Sequence, residues 1–260
     1  MRVIPVLDLV SGRAVRASRG RRATYAPAPS ALVPEAGAGD PLALARAFRE
    51  RLGCDEWYVA DLDALAGGAP QRALVRALVG VGGRLLLDSG AANPARAREG
   101  VSDGAARVVV GLETLPSFDA LREIARAIGS AQVLFSLDLR DGTPVLLPGA
   151  SQHGTPLELV RAAVAAGADA VLVLDLARIG TGRGVDLALV DAIRRAHPGV
   201  ELLAGGGIGS MRDLDCLSDA GCDGALVATA LHDGRLGGGD VEAARRRGSP
   251  RRRGHPSDSR

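Results

Sequence analysis

Aspartates end five short apolar runs that are spread over most of the chain. These aspartates are Asp8, Asp61, Asp88, Asp138 and Asp175. Carboxyl groups held close together raise one another's pKa, so that one keeps its proton while a neighbour accepts one. An acid and a base arranged in this way can move a proton within a small substrate.

We predict that Asp8 and Asp138 form a catalytic pair, and that Asp61, Asp88 and Asp175 are further candidates for the same site. The alternative is that some of these carboxylates cap backbone amides or pair with nearby arginines. The arginines in question are Arg16, Arg140 and Arg178.

A glycine-rich segment at residues 204–210 is the second chemical signal, since it follows an apolar run and opens a helical pattern. Glycines let backbone N–H groups approach an anion, and a helix N-terminus adds positive partial charge. The predicted phosphate-binding residues are Gly206, Gly207, Gly209, Thr229, Gly90 and Arg16. The alternative is a tight turn without a ligand. Asp88-Ser89-Gly90 forms a related but weaker turn, because a carboxylate beside a phosphate is unfavourable. The sequence therefore predicts one strong phosphate site.

Composition excludes several other kinds of chemistry. The 260 residues include no lysine, which excludes Schiff-base aldolase chemistry and a pyridoxal phosphate linkage, since both need a lysine amine. The three cysteines lack the spacing of metal ligands, and the aspartates have no clear histidine partners. We therefore predict no metal site. In the loops, His153 and Tyr25 are weaker candidates for contact with a ligand.

The elements that would position these side chains follow a strand–loop–helix pattern, repeated eight times in about 235 residues. The predicted strands are Val3 to Asp8, Glu56 to Asp61, Leu85 to Asp88, Val108 to Gly111, Val133 to Asp138, Ala170 to Asp175, Glu201 to Gly205 and Gly224 to Ala228. Eight units indicate an α/β fold, the (β/α)8 TIM barrel, whose active site lies at the C-terminal strand ends. A doubly wound open sheet is the alternative, but no Gly-x-Gly-x-x-Gly turn follows strand one.

The two halves of the predicted barrel repeat each other. Segment 6–9 matches 136–139, 59–62 matches 173–176, 85–90 matches 202–207, and 109–111 matches 226–228. Four matches in the same order indicate two half-barrels related by an approximate two-fold axis. Asp8 and Asp138 should therefore face each other across the mouth of the barrel.

We predict a barrel over residues 1–236, then a weak last helix and a disordered, Arg-rich tail over 237–260. The net charge is only +2, and the basic tail does not indicate a nucleic-acid surface. No run approaches the roughly 20 apolar residues of a membrane span. We expect a cytoplasmic protein with a phosphorylated small-molecule ligand and without nucleic-acid or membrane partners. The sequence makes no prediction of the oligomeric state.

A specific set of motifs points to a known family. They are Ile4–Leu9 with Gly12, Val15–Arg16 and Gly20; Asp61–Leu62; Ala106–Gly111; Leu137–Arg140; Asp175–Leu176 with Arg178, Gly180 and Thr181; and Gly206–Gly209. Over roughly residues 1–236, the chain resembles the paired histidine-biosynthesis barrels. These are the ProFAR isomerase (phosphoribosylformimino-aminoimidazole carboxamide ribotide isomerase) and the cyclase subunit of imidazole glycerol phosphate synthase. The two-fold repeat is a further mark of that family.

The resemblance implies a phosphorylated sugar ligand and, in the isomerase, an Amadori aldose–ketose rearrangement that needs no cofactor. It assigns the general base to Asp8, matches Asp138 to the strand-five aspartate, and makes Thr181 a further candidate. One alternative is a divergent paralogue similar to the barrels of pterin-linked one-carbon pathways. Another is a barrel that binds a phosphorylated metabolite without turnover.

The chain departs from the isomerase pattern at several positions. Ile179 stands where the general acid after strand six is expected, Leu174 replaces a threonine, and Ala150 replaces a loop tryptophan. The first glycine-rich turn is Asp88-Ser89-Gly90, and the Gly-Arg pair after strand eight is Ala228-Thr229. We predict that Asp138 or a neighbouring group supplies the proton that the missing acid would donate.

Overall fold

A computed structural model describes residues 1–16, 26–27 and 29–247 of the chain. Within it, eight parallel strands form a closed barrel, so the predicted (β/α)8 fold is confirmed. The barrel strands are β1 (Arg2–Val10), β2 (Glu56–Asp61), β3 (Arg84–Asp88), β4 (Arg107–Gly111), β5 (Val133–Arg140), β6 (Ala170–Asp175), β7 (Glu201–Gly205) and β8 (Gly224–Val227). Neighbours in the chain pair in order, and β8 closes the sheet onto β1 with Ile4 opposite Leu226.

Helices connect the strands and cover the outside of the barrel. They are α1 (Pro41–Leu52), α2 (Leu62–Leu65), α3 (Arg72–Val79), α4 (Pro94–Ser102), α5 (Phe118–Ile128), α6 (Pro156–Ala165), α7 (Leu187–Ala196), α8 (Met211–Asp219), α9 (Thr229–His232) and α10 (Gly238–Arg247). The start signals were readable in the sequence. Asp40, for example, caps α1 by accepting hydrogen bonds from the amides of Leu42 and Ala43.

Two barrel strands, β1 and β5, continue beyond their predicted ends, and each pairs there with a short antiparallel strand. Arg13–Arg16 folds back on β1 through a turn with positive φ at Ser11 (49°) and Gly12 (79°). Thr143–Pro144 folds back on β5 through Asp141 (50°) and Gly142 (80°). Because the two turns have the same backbone geometry, they agree with the predicted two-fold repeat.

The period of two along each strand separates an inner and an outer layer of side chains. Ile4, Leu86, Leu134, Leu172 and Leu203 belong to a cluster that fills the inside of the barrel. Their chain neighbours point outward and form a larger, mainly aliphatic cluster between the sheet and the helices. This alternation decides which strand-end side chains can reach the mouth.

Ion pairs close the N-terminal end of the barrel. Arg2 contacts both Glu56 (3.0 Å) and Glu201, and Arg107 contacts Glu201 at 2.5 Å. These four side chains belong to the inward-facing rows, and we call them the barrel floor. Because each buried carboxylate lies beside arginine, its charge is compensated.

The last helix, α10, packs against the start of the chain. Val241 and Ala244 are buried, and the amino group of Met1 donates a hydrogen bond to the Ala244 carbonyl at 2.7 Å. Tyr25 and residues 248–260 lie outside the described residues, so the division into 1–236 and 237–260 stays a prediction. None of the described helices has the length and apolar character needed to cross a membrane.

Candidate active site

A cavity of about 290 Å³ opens at the C-terminal ends of the strands. It is lined by Val6, Asp8, Tyr58, Ala60, Leu62, Leu65, Asp88, Glu113, Asp138, Arg140, Leu174, Leu176, Ile179, Gly180, Gly182, Gly206, Gly207, Ile208, Leu226, Ala228, Thr229 and Arg235. Small-molecule sites typically have volumes of roughly 300–1,000 Å³. The cavity therefore suits a ligand of the size of a sugar phosphate.

Strand alternation divides the five strand-end aspartates into two groups. Asp8, Asp88 and Asp138 point inward and line the cavity. Asp8 and Asp88 flank Ala60 in one row of paired residues. Since β1 and β5 are four strands apart in a closed sheet of eight, Asp8 and Asp138 lie on opposite sides of the mouth, as the repeat predicts.

Asp61 and Asp175 point outward, and neither lines the cavity. Asp61 accepts hydrogen bonds from the amide of Ala64 and from the amide and side chain of Gln71, at 2.7–3.2 Å. Asp175 accepts from three backbone amides and pairs with Arg178 at 3.1 Å. For these two residues the structure agrees with the alternative interpretation, in which the carboxylate caps backbone amides.

The two predicted catalytic carboxyls differ in their surroundings. Asp8 keeps part of its surface toward the cavity, but burial, together with the charge of Asp88, raises its pKa to about 7. Asp138 is 4% exposed, and burial followed by the charge of Glu113 raises its pKa to about 8. Asp138 also accepts hydrogen bonds from Ser136 Oγ (2.6 Å) and the Glu113 amide (3.1 Å).

Burial raises the pKa of both carboxyls into the range near neutral pH, so each of them can hold or release a proton there. A carboxylate and a protonated carboxyl on opposite sides of one cavity are the groups that proton transfer within a small substrate needs.

A buried pair, Tyr58 and Asp88, lies between the two carboxyls. The Tyr58 hydroxyl donates to Asp88 Oδ2 at 2.7 Å, and both side chains are less than 9% exposed. Burial, and then the charge of Asp88, raises the pKa of Tyr58 well above its usual value. The phenol therefore stays protonated and holds Asp88 in place.

The predicted phosphate turn follows β7 and opens onto the cavity. Gly206 and Gly207 line it with positive φ angles of 107° and 74°, a conformation that favours glycine. Thr229 lines the same side. Arg235, which the sequence did not single out, lines the cavity here and pairs with Asp233 at 2.9 Å. A backbone turn, a hydroxyl and a guanidinium together suit a phosphate.

Gly209 and Gly90 do not line the cavity, although the sequence predicted both as phosphate contacts. The Gly209 amide donates to Asp213 Oδ2 at 2.9 Å, so the N-terminus of α8 already has a carboxylate partner. A Cβ atom at Gly209 would lie 2.9 Å from Arg235 Nη1, so this glycine leaves room for the guanidinium. Gly90 lies against Leu65, behind the cavity wall.

Arg16 and Thr181 were also predicted, and they too lie outside the cavity lining. Arg16 approaches Asp233 at 3.9 Å. Thr181 Oγ1 donates to the Arg178 carbonyl at 2.7 Å and supports the loop after β6, whose neighbouring residues Ile179, Gly180 and Gly182 do line the cavity. Both residues therefore contact segments next to the cavity and not the cavity itself. His153 is exposed in its loop.

Comparison with known proteins agrees with this geometry. Residues 2–237 match the family described as "Histidine biosynthesis protein". The chain belongs to this family.

Two relatives in the family are isomerases whose name specifies an imidazole-4-carboxamide substrate with two phosphoribosyl groups. The Thermus thermophilus protein is 35% identical over 239 residues, which cover 91% of this chain and 96% of the relative. The Deinococcus radiodurans protein is 31% identical over 240 residues, or 90% and 94%. An uncharacterized Methanocaldococcus jannaschii protein is 26% identical over 243 residues, or 91% and 95%.

Several of the departures from the isomerase pattern noted above line the cavity. Ile179 and Leu174 both line it, so aliphatic groups occupy the places where the isomerase pattern has an acid and a threonine. Ala150, by contrast, does not line the cavity in this structure. Asp138 and Glu113 are carboxyls that line the same cavity as Ile179.

Tyr58, Glu113, Ser136 and Arg235 were missed by the sequence analysis. The alternation along the strands could have found two of them. Tyr58 is two residues before the inward-facing Ala60, and Ser136 is two residues before Asp138. Glu113 lies in the loop after β4 and Arg235 in the segment after α9, where no period indicates direction.

We expect Asp138→Asn to stabilise the protein at alkaline pH. The pKa of Asp138 rises from 3.8 to about 8 on folding, so its contribution to stability is complete below pH 3.8 and is lost as pH rises through about 8. Asparagine has no charge to bury. At pH 9 the variant should therefore have the higher Tm, by roughly 2–4 °C for each kcal/mol gained.

Thermal unfolding at pH 5 and pH 9 measures this effect. The control is Asp119→Asn, since that carboxyl is 84% exposed on α5 and its substitution should change Tm little at either pH. Equal Tm values for the wild type and Asp138→Asn at pH 9 would contradict the prediction.

Arg235→Ala should weaken phosphate binding. A hydrogen bond to a charged group contributes roughly 1.5–3 kcal/mol, so the loss corresponds to roughly 10- to 150-fold in affinity. Calorimetric titration with ribose 5-phosphate measures it. The matched control is Arg183→Ala, because Arg183 is exposed in the neighbouring loop and does not line the cavity. The same loss in both variants would show a general effect of charge.

Proposed function

We propose that this chain is a cofactor-independent isomerase that catalyses an Amadori aldose–ketose rearrangement of a phosphorylated, sugar-like metabolite. The observation that carries the proposal is the pair Asp8 and Asp138, which line opposite sides of one cavity with pKa values of about 7 and about 8. The turn at Gly206 and Gly207 supplies a phosphate seat. Relatives at 31–35% identity carry the isomerase name, which favours this reaction over a pterin-linked one.

The proposed reaction starts from an aminoaldose. Asp138 donates its proton to the ring oxygen as the bond from C1 to that oxygen breaks, and a C1=N iminium forms. Asp8 takes the proton from C2, so the C–H electron pair becomes the C1=C2 bond and the C=N pair returns to nitrogen. Asp8 then gives its proton to C1, Asp138 takes the proton of the C2 hydroxyl as the C2=O bond forms, and both carboxyls return to their starting states.

Complementation tests the pathway, and an assay of the purified protein tests the reaction. A bacterial strain that lacks the histidine-pathway isomerase should grow without histidine when it expresses the wild type but not Asp8→Asn. If the strain does not grow without histidine even at high expression of the wild type, this protein does not act in histidine biosynthesis. A screen of other phosphorylated aminoaldoses would then test the isomerase class itself.

Binding without turnover is the second candidate function. The aliphatic side chains of Ile179 and Leu174 in the cavity favour it, since they replace polar groups of the isomerase pattern. Under this alternative, Asp8→Asn would keep its affinity for ribose 5-phosphate, and no substrate in the screen would turn over.

A further inference from the structure

The turns after β3 and β7 share one glycine with positive φ, as the internal repeat requires, but they differ at the residue before it: Gly206 has a φ of 107°, whereas its equivalent Ser89 does not have a positive φ. Gly90 and Gly207 are equivalent and have φ angles of 69° and 74°. Each is followed three residues later by the N-cap of the next helix, Asn93 for α4 and Ser210 for α8. The two turns therefore share a glycine and a helix N-cap, but only the turn after β7 has two consecutive residues with positive φ that line the cavity.

The difference lies at the strand ends. β7 ends in Gly205, where an added Cβ would come within 3.1 Å of Leu174 and Leu226. β3 ends in Asp88, whose side chain enters the cavity and is fixed by the hydroxyl of Tyr58 at 2.7 Å. A buried carboxylate therefore stands in the half of the mouth where the repeat would otherwise form a second anion site.

The charged side chains that line the cavity are distributed unevenly between the two half-barrels. Asp8, Asp88 and Glu113 line the side formed by the first half-barrel. Among the residues that the structure describes, the cations that line the cavity are Arg140 and Arg235, and both belong to the second half. A phosphate near β3 would face like charges in a partly desolvated site, which is strongly unfavourable.

We propose that Asp88 is a specificity-determining residue that excludes a second phosphate, so that the substrate carries one phosphate, held beside β7 and β8. The opposite end of the substrate is unphosphorylated and presents hydroxyl or amine donors to Asp88. This inference rests on the proposed function for the reaction, but it separates the substrate from that of the isomerase relatives, whose name specifies two phosphoribosyl groups.

Binding measurements test the proposal independently of turnover. The probes are the relatives' two-phosphate substrate and its analogue with an unphosphorylated second ribose, titrated calorimetrically into the wild type and two variants. Asp88→Asn removes the charge and keeps an acceptor for Tyr58, and Asp88→Gly restores the residue of the repeat. The control, Asp141→Asn, removes an exposed charge near the mouth outside the cavity lining.

The wild type should bind the one-phosphate analogue at least about tenfold more tightly, and Asp88→Asn should reduce that preference by about tenfold, as expected for removal of one close like-charge contact. Asp141→Asn should leave the preference unchanged. Equal or tighter wild-type binding of the two-phosphate compound, an unchanged preference in Asp88→Asn, or no binding of either probe would overturn the proposal. Selective binding without turnover would contradict only the proposed reaction, and turnover of the two-phosphate compound would contradict only the role of Asp88.

Discussion

Asp8→Asn is expected to reduce kcat by roughly 10²–10⁴-fold, the usual contribution of a positioned general base. The substitution preserves the shape of the side chain and removes its ability to take a proton from C2. Binding should persist, since the substitution leaves the phosphate turn at Gly206 and Gly207 and the guanidinium of Arg235 unchanged. The loss should therefore appear in kcat, with KM changed only a few-fold.

The matched control is Asp61→Asn, because Asp61 also ends a strand but points outward and caps α2. It should lower Tm and leave the kcat of the folded protein nearly unchanged. The wild-type rate should peak between pH values of about 7 and about 8, where Asp8 is ionised and Asp138 is protonated. An Asp8→Asn enzyme with wild-type kcat would remove Asp8 from the mechanism.

Gly207→Ala is expected to abolish measurable phosphate binding and to destabilise the loop after β6. A Cβ atom here would lie 2.9 Å from the Arg178 carbonyl, 3.0 Å from the Gly184 amide and 3.1 Å from the Arg183 amide. All three are backbone atoms, so the two loops must separate. The bond from the Gly184 amide to the Gly207 carbonyl (3.0 Å) would be strained as well.

Gly53→Ala separates this clash from the conformational penalty of positive φ. Gly53 has a φ of 65° at the end of α1, and a Cβ atom there would meet nothing within 4 Å. Both variants bear a penalty of about 1–2 kcal/mol for a left-handed residue, but Gly53→Ala should retain its affinity for ribose 5-phosphate. Retained binding in Gly207→Ala would argue against the proposed phosphate seat.

The architecture of this protein was predictable because its signals are local and repeated. Each strand is an apolar run bounded by turn residues, and each half of the chain carries the same order of motifs. The position of the active site at the mouth of the barrel could be predicted from the direction of the strands alone. The repeat alone therefore predicts that the catalytic candidates Asp8 and Asp138 lie on opposite sides of the mouth.

Side-chain direction was the information that strand-end position did not carry. Asp61 and Asp88 both end strands, but one faces a helix and the other faces the cavity, because their places in the two-residue period differ. The two-residue period along β2 predicts that Asp61 points outward and that Tyr58 points into the barrel. Arg235 could not be found in this way, since it reaches the cavity from the segment after α9.

The barrel floor determines the route that molecules can take. With Arg2, Glu56, Arg107 and Glu201 paired across the N-terminal end, the described residues enclose a cup with one opening rather than a channel. Substrate must enter and product must leave through the same mouth of the barrel. Product must therefore be released before the next substrate can bind, and a compound bound at the mouth of the barrel would block both steps.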